Sequence, residues 1–276
     1  MKVSVLMSVY KSEKPAYLDR SLQSVWDDQT LKPDEIILVQ DGPLGDELLQ
    51  VIDKWQEKLG KVLVRIVNEV NIGLTKSLNK GIKVAQGEYI ARMDSDDISL
   101  PERFGEQVDF LNKHHDIPVV GSYIQEFSDG CDNLSIRKFP LDTEGAKKII
   151  YKANPLAHPA VMIKKDLFDE GISYNEEYRT SQDLALWFDV LAAGYKVANI
   201  DKVLLKFRRN DSVYKRRSNR KDSNLELKVH EKGILKLYGF SPYKSLFPIM
   251  RYIIRLLPSS IIRRIYNGSL RQRIAE

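Results

Sequence analysis

The chain has 276 residues, of which 43% are hydrophobic and 29% are charged. These proportions are ordinary for a globular protein and exclude a fully disordered chain, a collagen and a coiled coil. The length suits one large domain, or one domain with an appendage, and buries enough surface to fold without disulfides. Cys131 is the only cysteine, which excludes an intrachain disulfide and a cysteine-based zinc site and fits a reducing cytosol.

Charge is distributed unevenly along the chain. Residues 202–276 carry 19 Lys and Arg against 5 Asp and Glu, whereas residues 1–201 carry 24 against 33. A basic tail on an acidic body predicts that the tail faces an anionic partner, either a membrane or a nucleic acid. No uncharged apolar run of 18 or more residues occurs, so no conventional transmembrane helix is predicted.

The first 95 residues alternate between strand and helix patterns. Apolar runs rich in β-branched residues predict strands over 3–9, 35–39, 62–67 and 88–93. Apolar residues at helical spacing predict helices over 15–25, 48–59 and 74–85, with Gly87 as the stop of the third. This alternation predicts a parallel sheet covered by helices on both faces.

Beyond Pro101 the patterns are weaker. They predict a helix around 104–111, a strand over 118–127, and short strands and turns over 128–165 with one helix near 143–151. A late helix is predicted over 183–194, followed by two strands at 196–200 and 203–207.

Three carboxylates in four residues follow the fourth predicted strand, in the run Asp94-Ser95-Asp96-Asp97. Ligands of parallel sheets bind beyond the carboxyl ends of the strands, so this run lies in the predicted crevice. The carboxylates repel one another unless a cation compensates them, and Mg²⁺ or Mn²⁺ prefers such oxygen ligands. The alternative is an acidic loop that caps the next helix.

Four weaker candidates each have a structural alternative. Asp41 ends the second strand and could accept a hydrogen bond from a ligand, although Asp-Gly is also a common turn pair. Asn71-Ile72-Gly73 precedes the third helix and could approach a phosphate, or it could form a turn. Asp183 could be a general base or a helix cap. His158 could contact an acceptor or simply fix a loop.

Taken in order, these segments resemble a family 2 glycosyltransferase of the GT-A fold over residues 1–207. The motifs that carry the resemblance are Ser8-Val9-Tyr10, Asp41-Gly42, Asn71-x-Gly73, Ser77-x-Asn79-x-Gly81, Gly87-Glu88-Tyr89-Ile90, Asp94-x-Asp96-Asp97, and Asp183 before a Leu/Trp-rich helix. The chain is most similar to bacterial enzymes that build O-antigen, capsule or exopolysaccharide repeat units.

The resemblance implies an α/β architecture with a mostly parallel nucleotide-binding sheet flanked by helices. Within a GT-A domain of residues 1–207, residues 1–115 would be the nucleotide-sugar half and residues 116–207 the acceptor half. Residues 208–276 would form a basic amphipathic helical tail.

The resemblance also implies roles for residues that bind the donor. Ser8, Tyr10 and Asp41 would line the nucleoside pocket, and Asn71 would join them in binding the nucleotide sugar. Asp94 would contact the ribose or the diphosphate.

The metal and the chemistry are assigned in the same way. Asp96 would bind Mn²⁺ or Mg²⁺, which bridges the nucleotide diphosphate, and Asp183 matches the catalytic base. Two residues depart from the family pattern, since Gln40 and Gln182 stand where an acid is common. Arg208-Arg209 stands where relatives often have Arg-x-His, so the pattern does not carry over the metal or diphosphate contact of that motif, although the two arginines could still reach a phosphate.

These roles predict an inverting transfer by direct displacement. Asp183 takes the proton of an acceptor hydroxyl while the metal neutralises the leaving diphosphate. The donor would be a nucleotide diphosphate sugar, most often a UDP-sugar of a hexose or N-acetylhexosamine, and the product a β-galactosyl or β-glucosyl linkage. The acceptor would be a saccharide on a polyprenyl diphosphate carrier.

The tail alternates apolar residues with arginine. An Arg-rich amphipathic helix over residues 243–274 predicts contact with an anionic membrane surface, and the alternative is a helix packed on the body. The segment is too apolar for a nucleic-acid-binding arm, so no nucleic acid is expected. The protein would then be cytoplasmic and peripheral on the cytoplasmic face of the inner membrane. Pro248 and Pro258 would divide the tail into two short helices.

Two other functions stay open on the sequence alone. A sugar nucleotidyltransferase also uses a parallel sheet and acidic metal sites, although it usually carries a Gly-rich basic loop where this chain has Tyr10-Lys11-Ser12-Glu13. The other is a non-catalytic nucleotide-sugar-binding protein tethered to the membrane by its tail. Absent G-x-S-x-G and H-E-x-x-H motifs count against a serine hydrolase and a zincin.

Overall fold

The first four strands form the parallel sheet that the sequence predicts. The structure, a computed structural model, describes residues 2–209 and 220–256. The strands are β1 (Val3–Val9), β2 (Glu35–Asp41), β3 (Leu63–Asn68) and β4 (Tyr89–Asp94), side by side in the order β3-β2-β1-β4. Their pairings are all parallel.

Helices α1 (Pro15–Val25), α2 (Asp46–Leu59) and α3 (Leu74–Val84) connect these strands. Side chains alternate across a strand, so β1 sends Val5 and Met7 to one core and Leu6 to the other. Leu22 of α1 lies in the first core and Leu78 of α3 in the second. Helices therefore cover both faces of the sheet, as the strand–helix alternation predicts.

The second half extends the same sheet with strands of mixed direction. It contains β5 (Ile98–Ser99), α4 (Arg103–Lys113), β6 (Val119–Ser128), β7 (Cys131–Arg137), α5 (Thr143–Ile149), β8 (Met162–Lys164), α6 (Asp166–Asp169), α7 (Gln182–Ala192) and β9 (Val197–Arg208). Beyond β4 the order is β8-β6-β9-β5, and β7 pairs with β6. Strand β8 is antiparallel to both of its neighbours.

Two boundaries differ from the prediction. The strands expected at 196–200 and 203–207 are one strand, because Asp201 and Lys202 form an irregularity in its pairing with β6 and do not end it. Gly87 is not the stop of α3, which ends at Val84 before an extended Ala85. A side chain at Gly87 would instead collide with Ser4, whose Oγ would lie 2.5 Å from the added Cβ.

Two further helices follow the sheet, α8 (Arg220–Tyr238) and α9 (Pro242–Leu256). Helix α8 packs on α7, where Gly233 lies against the ring of Phe188 and Lys236 pairs with Asp189 at 2.5 Å. Helix α9 continues through Pro248, so the predicted division there is wrong. Pro258 and residues 257–274 of the predicted membrane segment lie outside the described residues. No helix within 2–209 or 220–256 is long and apolar enough to cross a membrane.

Candidate active site

The acidic run lies at the carboxyl edge of the parallel sheet. Asp94 ends β4 beside Ser8 of β1, and Asp96 and Asp97 follow before β5. One oxygen of each of the three carboxylates lies within 4.8 Å of the others. None of them caps α4, whose N-cap is Glu102. The helix-cap alternative for this loop is therefore wrong.

Repulsion and burial both disfavour the ionised acidic loop. Burial, with the charges of Asp94 and Glu13, raises the pKa of Asp96 to about 7. Burial and the neighbouring carboxylates also raise the pKa of Asp97 well above its usual value. Asp97 Oδ2 is buried and has no hydrogen-bond partner among the described residues. A cluster of oxygen donors with excess negative charge fits a hard divalent cation.

Two arginines contact this loop. The side chain of Arg92, only 3% exposed, makes an ion pair with Asp94. Arg208 donates its backbone N–H to Asp97 Oδ1 at 2.7 Å and its Nε to the carbonyl of Asp96 at 2.8 Å. The guanidinium of Arg208 also lies 3.8 Å from the ring centre of Tyr17. Arg208, which stands where relatives often have an Arg-x-His run, thus braces the acidic loop.

Asp41 is bound by its own loop. Its Oδ1 accepts the backbone N–H of Ile72 at 2.8 Å, and its Oδ2 accepts that of Gly73 at 3.0 Å. The amide of Asn68 adds a contact of 3.3 Å. Asn71 donates its side-chain amide to the carbonyl of Asp41 at 3.1 Å. Asp41 therefore ties the end of β2 to the loop that begins α3, and Asn71 belongs to the same turn.

The other residues assigned to the donor are more open. Ser8 is half-buried on β1 beside Asp94, and Tyr10 is exposed two residues further on. Asp94 is half-buried as well. The structure thus brings Ser8, Tyr10 and Asp94 to one edge of the sheet.

Asp183 lies in the first turn of α7. The N-cap is Ser181, which adopts a left-handed φ of 58°. Asp183 Oδ2 accepts a hydrogen bond from Asn154 Nδ2 at 2.6 Å. Burial raises the pKa of Asp183, while the backbone N–H of Leu184 and the charge of Arg92 act in the opposite direction. A carboxylate with a raised pKa has the proton affinity that a general base requires.

His158 lies in the core. It begins a 3₁₀ turn, and its Nε2 is 2.7 Å from the hydroxyl of Tyr174. Burial, with the charge of Arg92, lowers the pKa of His158 well below its usual value. The ring of His158 therefore packs against Tyr174 of the segment before α7, in surroundings that favour the neutral imidazole.

Two clefts open beside α3, away from the acidic loop. The larger, of about 460 Å³, lies between α3, the segment 171–176 and the ion pair of Asp189 with Lys236. The smaller, of about 200 Å³, lies at the start of α3 and is lined by Gly73, Lys76 and Arg179 among others. Neither is lined by Asp94, Asp96, Asp97 or Asp183.

The sequence patterns do not single out two residues of this region, Arg92 and Asn154. Arg92 lies two residues before Asp94, on the same face of a strand, so it could have been inferred from that spacing. Asn154 is brought to Asp183 by a distant element, and nothing local in the sequence marks that contact. Asp97 and Arg208 are both singled out in the sequence, but the hydrogen bond between them is not predicted there.

Comparison with known proteins decides the family. The family model of Glycosyl transferase family 2 matches residues 4–172. The chain belongs to this family. The amylovoran biosynthesis glycosyltransferase AmsE of Erwinia amylovora is 36% identical over 267 residues, which are 96% of this chain and 97% of that protein. The UDP-Gal:alpha-D-GlcNAc-diphosphoundecaprenol beta-1,3-galactosyltransferase of Escherichia coli is 33% identical over 98% of this chain and 97% of its own length.

A solved structure supports the fold. The crystal structure of residues 1–349 of S. aureus TarS in complex with UDP-GlcNAc has a TM-score of 0.67 at 20% identity. The match covers 98% of this chain and 74% of that chain. The predicted GT-A fold and the predicted family are both confirmed, and the chain is an inverting glycosyltransferase.

Proposed function

We propose that the chain transfers a hexose or N-acetylhexosamine from a UDP-sugar to a saccharide on a polyprenyl diphosphate, in the synthesis of a bacterial surface polysaccharide. The observation that supports this proposal most is the acidic loop at the carboxyl edge of the sheet, where the negative charge of three carboxylates is only partly neutralised. The similarity to a protein named for galactosyl transfer to a GlcNAc-diphosphoundecaprenol supports this acceptor and makes galactose the first donor sugar to test.

Asp96 and Asp94 would hold Mn²⁺ or Mg²⁺. Their oxygens, with Asp97 Oδ2, which has no hydrogen-bond partner within residues 2–209 and 220–256, form the hard donor set that such a cation takes. When bound, the cation supplies charge compensation for the leaving diphosphate. Arg92 and Arg208 keep the loop in place through their contacts with Asp94, Asp96 and Asp97.

Asp183 would be the catalytic base. It takes the proton of the acceptor hydroxyl as that oxygen bonds to the anomeric carbon. The bond from the anomeric carbon to the diphosphate oxygen breaks, and the diphosphate leaves with the electron pair. Because attack and departure occur on opposite faces, an α-linked donor yields a β-linked product.

The nucleoside would lie at the edge formed by Ser8 and Tyr10. Asp41 and Asn71 would act by fixing the loop that starts α3, because their polar groups already bond within that loop. A direct contact of His158 with the acceptor would require its ring to leave Tyr174. We therefore assign His158 to the support of the acceptor half.

Helix α9 would bind an anionic membrane surface. Tyr243, Leu246, Met250 and Ile253 recur at helical spacing, and each is more than half exposed. Arg251 turns inward, where it pairs with Glu226 of α8 at 2.9 Å and donates a hydrogen bond to the carbonyl of Lys152 at 3.0 Å. An apolar outer face on a strongly basic tail suits an anionic bilayer, where a lipid-linked acceptor resides. On this proposal the protein would act at the cytoplasmic side of the inner membrane.

Vesicle binding tests the membrane contact. We expect cosedimentation with phosphatidylglycerol vesicles to exceed that with phosphatidylcholine, and Leu246→Ser with Met250→Ser to weaken it about ten-fold or more, given about 0.8 kcal/mol per buried methylene. Leu134→Ser with Ile136→Ser, at exposed apolar sites on β7, is the matched control. Equal binding by both double variants would refute the assignment of α9.

A donor screen tests the proposed reaction. UDP-galactose, UDP-glucose, UDP-GlcNAc and UDP-GalNAc would be incubated with GlcNAc-diphosphate-alkyl acceptors, with Mn²⁺ or with EDTA. We expect UDP release from one donor, dependent on metal and acceptor. Release of pyrophosphate from a nucleoside triphosphate would instead indicate a nucleotidyltransferase, and UDP binding without turnover a non-catalytic protein.

A further inference from the structure

Asn154 is held rigidly in the acceptor half. It follows α5, where the N–H of Ala153 bonds to the carbonyl of Ile149 at 2.9 Å. It precedes Pro155, whose carbonyl accepts the side-chain amide of Asn199 at 3.1 Å. A residue before proline has few backbone conformations. The side chain of Asn154 is therefore presented from a fixed backbone.

The amide of Asn154 is only half used. Its Nδ2 donates to Asp183 Oδ2 at 2.6 Å. Its Oδ1 is buried and has no hydrogen-bond partner among the described residues. A side-chain amide carries both donors and an acceptor, and a buried acceptor left unpaired is costly. A ligand group beside Asp183 that donates a hydrogen bond to Asn154 Oδ1 would therefore be stabilised.

A pyranose offers two adjacent hydroxyls, one for each oxygen of this pair. The attacking hydroxyl gives its proton to Asp183, and the hydroxyl beside it donates to Asn154 Oδ1. Only the carbon and nitrogen of the Asn154 amide lie between its Oδ1 and the Asp183 carboxylate that the nitrogen contacts, so the two acceptor groups suit neighbouring substituents on one ring. Arg92 and Tyr174 are the charged and titratable groups that face Asp183 within the described residues.

We propose that Asn154 positions Asp183 and binds the acceptor hydroxyl next to the one that attacks. This inference rests on the proposed function, because it requires Asp183 to be the base. It deepens that function by naming a vicinal diol of the acceptor sugar as the recognised group.

Acceptor analogues test the diol contact. The probe is GlcNAc-diphosphate-alkyl and its monodeoxy series, with the donor found in the screen. We expect the wild type to prefer the parent over one neighbouring deoxy analogue by about ten-fold or more, because a site built for a hydroxyl rejects its absence. In Asn154→Ala this ratio should fall towards one while the KM for the donor stays unchanged.

A carboxyl NMR titration tests the positioning without relying on turnover. The Asp183 signal would be assigned by its loss in Asp183→Asn. Removing the amide donor in Asn154→Ala should raise the pKa of Asp183, because a hydrogen bond to the ionised form favours ionisation. Gln56→Ala, which removes an amide bonded to the carbonyl of Gly60 on another part of the fold, should leave that pKa unchanged.

The outcomes separate the two claims. An unmoved Asp183 titration in Asn154→Ala, or an undiminished deoxy ratio, would overturn the role of Asn154. If Asp183→Asn is inactive in the same experiment, the proposed function survives that result. Full activity of Asp183→Asn would instead overturn the base assignment itself.

Discussion

Asp41 and Asp97 occupy similar positions but have opposite surroundings. Each follows or ends a parallel strand that flanks β1, and each is almost fully buried. Both oxygens of Asp41 accept backbone N–H groups of the loop that begins α3. Asp97 keeps one oxygen without a partner among the described residues and stands beside two other carboxylates. An aspartate at a strand end is thus a structural tie where backbone N–H groups satisfy both of its oxygens, whereas Asp97, with one oxygen bonded to the N–H of Arg208, keeps unbalanced negative charge beside Asp94 and Asp96.

The largest expected effect lies in the undercompensated loop. Replacing Asp96→Ala should lower the transfer rate about 100-fold or more, because the metal's charge compensation is worth several kcal/mol. The measurement is UDP release at saturating donor with titrated Mn²⁺. Circular dichroism should show that the fold of this variant is unchanged. Turnover at the wild-type rate would contradict the assignment of the acidic loop to catalysis and of Asp41 to stability.

Asp41→Ala should act on stability instead. It leaves the N–H groups of Ile72 and Gly73 without their acceptor, at a cost of about 2–4 kcal/mol. Urea unfolding measures this loss. Activity per folded molecule should fall far less than in Asp96→Ala, and a stable but inactive Asp41→Ala would assign Asp41 to the donor site directly.

The brace on the acidic loop can be weakened selectively. Arg208→Lys keeps the charge and the backbone N–H to Asp97 but loses the Nε contact with Asp96. The apparent Mn²⁺ affinity should fall about ten-fold or more, as it usually does when a residue that orients metal ligands is replaced. Lys202→Ala, which removes a surface pair with Glu106, is the control. Equal Mn²⁺ affinity in wild type and Arg208→Lys would remove Arg208 from this role.

The smallest effect is a gain of stability. A carboxyl whose folded pKa is raised destabilises the fold where it is ionised, so the penalty of Asp96 grows as pH rises from 4 towards 7. Asp96→Asn should therefore raise the free energy of unfolding at pH 8 without metal by about 1 kcal/mol or more. At pH 4 the gain should vanish. A loss of stability at pH 8 would contradict the repulsion between these carboxylates.

Local sequence patterns predict the first four strands, the three helices between them and the edge where the acidic loop lies. They do so because hydrophobic periodicity fixes each element and parallel pairing gathers the strand ends. The contact of Asn154 with Asp183 joins residues 29 positions apart, and that of Arg208 with Asp97 joins residues 111 apart. Such contacts depend on the order of strands in the sheet, which periodicity does not encode. Asp41 and Asp96 both lie at the end of a predicted strand, and the sequence does not distinguish them because the groups that surround each one come from other segments of the chain.

The most direct measurement follows the anomeric configuration of the product and the rate with Asp183→Asn. Proton NMR would identify the linkage formed from an α-linked UDP-sugar on GlcNAc-diphosphate-alkyl. We expect a β-linked product and a rate that is about 10²–10⁴-fold lower in the variant, which is the usual contribution of a general base, with UDP binding unchanged. An α-linked product, or full activity in Asp183→Asn, would contradict direct displacement with Asp183 as the base.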